Sequence, residues 1–356
     1  NIASEIDEDE LSKIGAKVIR EFDIDDDTRS EWLEENKEAF DLAMQVAEEK
    51  EFPWQKASNV IFPLMTVAAI QFAARAYPAI VSGRNVVKGV VVGSDKGTPK
   101  MGPDGSPEVP LDPATGQPMM DQNGQPQINW AIPPGEKRRR ADRIAGHMSW
   151  QLLDEMESWE EDTDKLLHIL PIAGCCFRKS YFDPTEGCNV SELAFAQNVV
   201  VNFWAKSLSR APRISERVWF YPSEIEENER AGIWLEQTYG MAVPSGADDG
   251  EEEQSTEDED ATHEFIEQHR RLDLDGDGYA EPYIVTVHRQ TSKVVRIIAR
   301  YDADGVKLRG EKVASIKPID YYTKYDFLPN PKGGIYGIGF GKLLMPLNDS
   351  VNTVIN

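Results

Sequence analysis

The apolar residues change period once, near residue 170, and that change sets most of what the chain can fold into. Before it they recur every three to four positions; after it they alternate. Leu11, Ile14, Val18 and Phe22 share one helical face. "DIDDDT" then supplies acidic, cap-forming residues ahead of a second helix, with Trp32, Phe40, Ala43 and Ala47 on one side. "EFPWQKASN" ends that helix, and Ser58 or Asn59 is placed to cap an alanine-rich third one. Glu136 to Leu170 reads as one long helix carrying Ile144, Met148, Leu152, Met156, Trp159 and Leu166 on or near one face. Beyond it, "CCFRKSYFD", "NVVVNFW", "RVWFYP", "EFIEQHRRLDL", "EPYIVTVHR" and "KVVRIIARYD" read as strands. "SEIEENERAG" reads as a short capped helix. Helices first and hairpin-joined, mostly antiparallel strands afterwards predict an α+β fold. No run of βαβ units and no GxGxxG after a strand argues otherwise.

Punctuation divides the chain further. Residues 1–93 form a helical region that ends in "RNVVKGVVVG", a strand by its β-branched composition. Residues 94–135 are crowded with proline and glycine, with turn signals at "PDG", "PATG" and "QNG"; they predict a surface excursion with at most short hairpins. Residues 136–332 hold the α+β part, interrupted at 244–262 by an acidic, low-complexity insert expected to be disordered. Residues 333–356 are a glycine-rich elbow followed by an amphipathic helix. Its stripe is Leu344, Leu347, Val351 and Val354. No stop signal follows that stripe, and the chain opens on Asn1 rather than Met, so a piece of a longer polypeptide with a truncated last helix is expected.

Charge narrows the function classes. The net charge is −24, and the run Asp248–Asp260 carries nine acids without a Lys or Arg. The acidity extends well beyond that run. Such a surface repels nucleic-acid phosphates, which argues against a tight DNA or RNA binder and suits a surface that nucleic acid passes without sticking. Cys175, Cys176 and Cys188 have neither a disulfide framework nor zinc spacing, and are expected to be buried thiols in a reducing compartment. "IFPLMTVAAIQFAARAYPAIV" is interrupted by Gln71, Arg75 and two prolines, so it predicts a buried helix and no membrane span.

Few motifs carry chemistry. In "DLDGDGYAE", Asp273, Asp275, Asp277 and Glu281 match positions 1, 3, 5 and 9 of a calcium-binding loop, with Gly278 at position 6. Position 12 is Ile284 instead of the bidentate Glu, and the flanks read as strands. Two readings stay open: a weak Ca²⁺ or Mg²⁺ site, or a carboxylate-bearing hairpin turn without a cofactor. "KRRRADR" places Lys137, Arg138, Arg139, Arg140 and Arg143 at a helix start, against the macrodipole, so partner anions are expected. Salt bridges within or between subunits, or DNA contact, would meet that need. His147 and His168 fall in the long helix, where packing accounts for them; His269 and His288 flank the Asp turn and could approach each other. There is no GxSxG elbow and no phosphate-binding GxxxxGK[ST] loop. The sequence gives no positive sign of an enzyme. Two alternatives to a structural role stay open: a metal-dependent nucleic-acid packaging enzyme built on the same four carboxylates, and a calcium-binding structural module.

Five blocks, in order, are similar to segments of bacteriophage portal proteins of the podovirus type. They are "PWQKASNVIFPLMTVAAIQFAARAYPAIV", "CCFRKSYFDP", "RAPRISERVWFYPSEIEENERAGIW", "LDLDGDGYAEPYIVTVH" and "DFLPNPKGGIYGIGFGKLLMPLNDSVNTVIN". The resemblance covers about Glu31 to Asn356. It implies a non-enzymatic subunit of a homo-oligomeric ring, typically dodecameric, at one capsid vertex of a virion assembled in host cytoplasm. Double-stranded DNA passes non-specifically through such a ring. It also implies contacts with the terminase large subunit, head–tail adaptor proteins, and capsid and scaffolding proteins, and none with membrane. Residues 136–332 would then be mainly wing, and the helix from about Gly341 the start of a stem packed on neighbouring subunits. The long 94–135 excursion and the acidic insert depart from the family pattern.

Overall fold

The structure, a computed structural model, describes residues 1–46, 54–55, 57–113, 115–121, 124, 126–184, 187–240, 260–310 and 312–356. Three helices come first: α1 (Glu8–Asp27), α2 (Ser30–Ala43) and α3 (Leu64–Ile80). A small ribbon, β1 (Thr98–Pro99) with β2 (Trp130–Ile132), leads to α4 (Glu136–Trp150) and α5 (Trp159–Ala173). Then come β3 (Cys175–Asp183), β4 (Cys188–Ala194), β5 (Val199–Val200), β6 (Ile214–Phe220) and the short α6 (Pro222–Arg230). The remaining strands are β7 (His263–Leu272), β8 (Glu281–His288), β9 (Val294–Ala299), β10 (Val306–Arg309), β11 (Lys312–Ile316) and β12 (Tyr322–Asp326), and α7 (Phe340–Ile355) closes the chain. The fold is α+β, and every strand pair whose register is described is antiparallel.

The chain forms two compact units. The larger comprises Asn1–Ala74, Asp162–Tyr181 and Ser191–Asn356; the smaller comprises Arg75–Glu161 and Phe182–Val190. In the larger unit a five-stranded sheet runs β5-β6-β7-β8-β9, and a three-stranded sheet runs β12-β3-β4. Alternation gives the five-stranded sheet two different faces. One bears Ile266, Val285, Val287 and Ile297, which pack with Ile14, Val18 and Phe22 of α1 in a single apolar cluster. The other bears Glu216, Glu267, Thr286 and Arg296, adjacent in cross-strand register, and receives side chains from β3 and β12.

Several elements differ from the sequence reading, each for a physical reason. "DIDDDT" does not cap α2. Helix α1 continues through Asp27, and the acids of its last turn, which oppose the macrodipole, are matched by arginines of the sheet. Helix α2 ends at Ala43, with Gln45 at φ 59°, and its buried face is Trp32, Asn36, Ala39 and Ala43. Phe40 is only half-buried, and Ala47 lies outside the described residues. Ser58 does not start α3; its hydroxyl donates to Asn356 Oδ1 at 2.9 Å, and α3 begins at Leu64, after Pro63 and beyond Asn59. Only one side of α3 is buried, through Met65, Ala69 and Ala73, while Val67 and Ile70 are exposed.

In the smaller unit, residues 84–93 form no strand. Val90 and Val92 are exposed, the Val87 N–H donates to Ser149 Oγ at 3.1 Å, and Gly89 lies against the backbone of Ala141. β-Branched residues favour an extended backbone, but a strand also needs a partner edge, and none of the described segments supplies one. The Glu136–Leu170 stripe is not one helix. A single π-turn at 151–155 and an extended Met156 separate α4 from α5. Helix α4 buries Ala145 and Ser149, whereas Ile144, Met148 and His147 are exposed. The excursion 94–135 holds three short turns closed by the bridges Met101–Pro107, Leu111–Pro118 and Met120–Pro126. The acidic insert lies largely outside the described residues, which stop at 240 and resume at 260.

The glycine run before α7 has a specific use inside the larger unit. Gly174 sits at φ 85°, and a Cβ on Gly337 would stand 2.3 Å from the Gly174 carbonyl oxygen. The two backbones therefore touch, and only glycine allows that approach.

Candidate functional site

Charged residues on strands buried on both sides need partners, because an isolated charge out of water is costly. Lys179 of β3 reaches the polar face of the five-stranded sheet. There its Nζ lies 2.8 Å from Glu216 Oε2 and 2.9 Å from Glu267 Oε1. Tyr322 of β12 donates to Glu216 Oε2 at 2.7 Å, and His269 Nε2 meets Glu267 Oε1 at 3.2 Å. Burial would pull the Lys179 ammonium down, but Glu267, Tyr322 and Glu216 outweigh it and hold it well above its ordinary value. Burial would raise the Glu267 carboxyl, yet Lys179 and His269 bring it well below the usual carboxylate range. His269 stays on the low side of its ordinary value because burial exceeds the pull of Glu267. The result is a zipped ionic layer between two sheets.

The edge of this layer opens into a cavity of about 360 Å³. Tyr321 and Tyr322, whose rings pack on His269, form part of its wall. Lys206, Ser207, Ser209, Arg300, Asp320 and Lys324 supply the polar lining. Burial lowers Arg300 from its ordinary value, with Asp320 opposing.

The opposite side of the sheet carries a second ionic system. Asp25, fully buried, accepts from Arg213 Nε at 2.6 Å and Nη2 at 2.9 Å, and from Asn202 at 3.1 Å. Arg217 pairs with Asp26 at 2.6 Å, Arg270 with Glu21 at 2.7 Å and Arg289 with Asp23 at 2.6 Å. Arg29, 1% exposed, donates to the carbonyls of Ala196, Gln197 and Val199 and lies against the rings of Trp32 and Tyr336.

The residues singled out in the sequence fall as follows. Asp273, Asp275 and Asp277 converge, with one oxygen of each within 4.8 Å of the others, on an exposed hairpin turn between β7 and β8. Their carboxylates already accept turn N–H groups, Asp273 from Gly276 and Gly278, Asp275 from Asp277 and Asp277 from Tyr279. Glu281 is not in that group; it accepts from the Tyr283 phenol. In the smaller unit, the N–H groups of Lys137 and Arg138 donate to Asp95, which caps α4. Arg138 pairs with Asp142, and Arg139 and Arg143 pair with the half-buried Glu136, the arginines themselves being exposed. Arg140 is exposed on the same helix.

On α7, Leu344 turns inward onto Ala39, Ala43 and Met65. Leu347 and Val354 are exposed, and Val351 is half-buried. Pro346 lies in the second turn of the helix. Cys175 and Cys176 are buried, and burial pushes the Cys175 thiol up to about 12; Cys188 is only half-buried.

His269 and His288 do not meet. Register places His269 opposite Ile284 and His288 opposite Phe265. His288 instead meets His263, Nε2 to Nδ1 at 3.2 Å, under the ring of Tyr239. Burial, with His263 and Lys293 nearby, brings His288 down to about 4. His168 is part-exposed, with Nδ1 2.9 Å from the Asp164 carbonyl oxygen. Among the described residues no helix is long and apolar enough to cross a membrane.

Sequence reasoning missed Lys179, Glu216, Glu267 and Arg300. The signal was available: charges on both faces of strands that alternate too little to have a wet side. No known family model matches the sequence, and no curated protein matches it significantly.

Proposed function

We propose that the protein is a structural subunit of a ring-forming phage portal, in which α7 starts a stem that packs on neighbouring copies and the α+β body forms the wing. The observation that carries this reading is the divided surface of α7. One side is sewn to the body. Gly341 lies against Ala39, Lys342 pairs with Glu35, and Asn352 and Asn356 accept from the N–H groups of Phe62 and Val60. The other side presents Leu343, Leu347 and Val354, 50%, 55% and 87% exposed, with no cover among the described residues. A second copy of the same helix would bury that stripe, and repetition around an axis would close a ring. The net charge of −24 suits a conduit, because an adhesive basic surface would hold the DNA it is meant to pass. In this reading the subunit gates and docks; the DNA is moved by a separate motor, and no cofactor takes part.

The test is assembly of the complete gene product, followed by sedimentation and electron microscopy. Closed rings are expected, and Leu347→Glu with Val354→Glu should abolish them while leaving the circular-dichroism spectrum intact. A product that stays monomeric at high concentration, or one that assembles normally with both glutamates, would overturn the proposal.

A further inference from the structure

The arginines that pack between α1 and the five-stranded sheet are matched by carboxylates, and two on its β9 side form no ion pair among the described residues. Arg213, Arg217, Arg270 and Arg289 each meet a carboxylate, and Arg29 meets Asp26 and three carbonyls. Arg296 on β9 and Arg300 just after it make no ion pair or side-chain hydrogen bond among the described residues, and the Nε of each is sealed from solvent without a partner. In a chain of net charge −24, carboxylates are plentiful, yet neither guanidinium forms an ion pair, and Arg300 has only the attraction of Asp320 across the cavity wall. Arg300 opens onto the cavity described above, together with Lys206, which also has no partner among the described residues. Lys324, on the same wall, is taken by Asp326 at 2.9 Å, and Asp320 is the only carboxylate of the lining.

We propose that this cavity binds a tetrahedral oxyanion of the phosphate class, held between the Arg300 guanidinium and the Lys206 ammonium. The planar fork of an arginine matches two oxygens of such an anion, and the lysine adds a movable charge at the mouth. Ser207 and Ser209, whose hydroxyls lie 3.3 Å apart at the rim, add neutral donors. A cavity of about 360 Å³ has room for one such group and its remaining hydration shell. The low-dielectric walls contributed by Ile214 and Tyr322 focus the positive field inward, so the anion is drawn to this cavity despite the acidic surroundings. This site is independent of the portal reading and stands or falls separately from it.

The experiment titrates the protein with inorganic phosphate and, at matched ionic strength, with chloride, reading both the melting temperature and the heat of binding. Phosphate should raise the melting temperature saturably and chloride should not. Lys206→Glu, at an exposed position that tolerates change, and Arg300→Gln should each weaken phosphate binding at least about tenfold, the share of one charge-assisted hydrogen bond. Lys13→Glu, on the exposed side of α1, should titrate like the parent. The proposal is overturned if chloride reproduces the stabilisation, or if both cavity variants bind phosphate as the parent does.

Discussion

The two faces of the five-stranded sheet handle cations in opposite ways. Against α1, four arginines are answered by Glu21, Asp23, Asp25 and Asp26, acids gathered at a helix C-terminus where they weaken the helix itself. On the other face, Lys179 is fully answered by Glu216 and Glu267, but Arg296 and Arg300 toward the β9 edge form no ion pair among the described residues. A fold that tolerates unfavourable acids to neutralise one set of guanidiniums, and leaves Arg300 without an ion pair beside a cavity, is not merely short of carboxylates. The matched set joins α1 to the sheet. Arg300, at the cavity, is placed to meet something else.

The comparison breaks most visibly at Asp25. It is fully buried and accepts three hydrogen bonds, two of them from Arg213, so Asp25→Ala leaves a mostly buried guanidinium with only Glu21, 3.9 Å away, as a counterion. A loss of about 3–5 kcal/mol is expected in urea unfolding, as for other buried pairs broken on one side. Asp25→Ala with Arg213→Met should recover part of that loss, because the stranded charge goes too. If the single and double variants are equally unstable, packing and not charge matching governs this face.

An intermediate effect comes from pH. His263, His269 and His288 are each kept below the ordinary imidazole value, in every case with burial as the main cause, and His288 lies at about 4. The folded chain therefore holds them neutral, while the unfolded chain takes up protons once the pH drops below about 6.5. Their contribution is fully present above about pH 6.5 and is lost as the pH falls toward 4. His288 alone should lower stability by about 1–2 kcal/mol between pH 7 and pH 5, a figure reduced from the full shift because the imidazole is not wholly sealed. His288→Gln should flatten the slope of the urea midpoint against pH over that window, whatever it does to stability at pH 7. An unchanged slope would mean that His288 takes up its proton equally readily in the folded and the unfolded chain.

How much of this was legible depended on range. Turns are local, and bridges flank "PDG", "PATG" and "QNG" where the glycines and prolines placed turns, with Ala114, Gln122 and Asn123 outside the described residues. The β7–β8 hairpin was equally plain, because an Asp/Gly turn joins two alternating runs. Residues 84–93 failed because β-branching specifies an extended backbone but not a neighbour. The 136–170 stripe failed because helical periodicity carries no mark for a π-turn at 151–155. The Asp turn was found by spacing; the ionic layer was not, since nothing near Lys179 in sequence points to Glu216 or Glu267. Leu344 was read onto the outer stripe of α7 because a helical face alone does not reveal which side the body takes. The structure gives the inner side to Leu344 and the outer one to Leu343 and Leu347.

The smallest expected effect is the one that most sharpens the contrast. In phosphate-free buffer, Arg300→Gln removes a partly buried cation that forms no ion pair among the described residues, so the variant gives up a desolvation cost and only the attraction of Asp320. Stability should change by no more than about 0.5 kcal/mol, in either direction, against the several kcal/mol expected at Asp25. Adding phosphate should then separate the proteins, because the parent is stabilised and the variant is not. A large loss in phosphate-free buffer would mean that Arg300 already has a structural partner and that the two faces of the sheet follow the same rule after all.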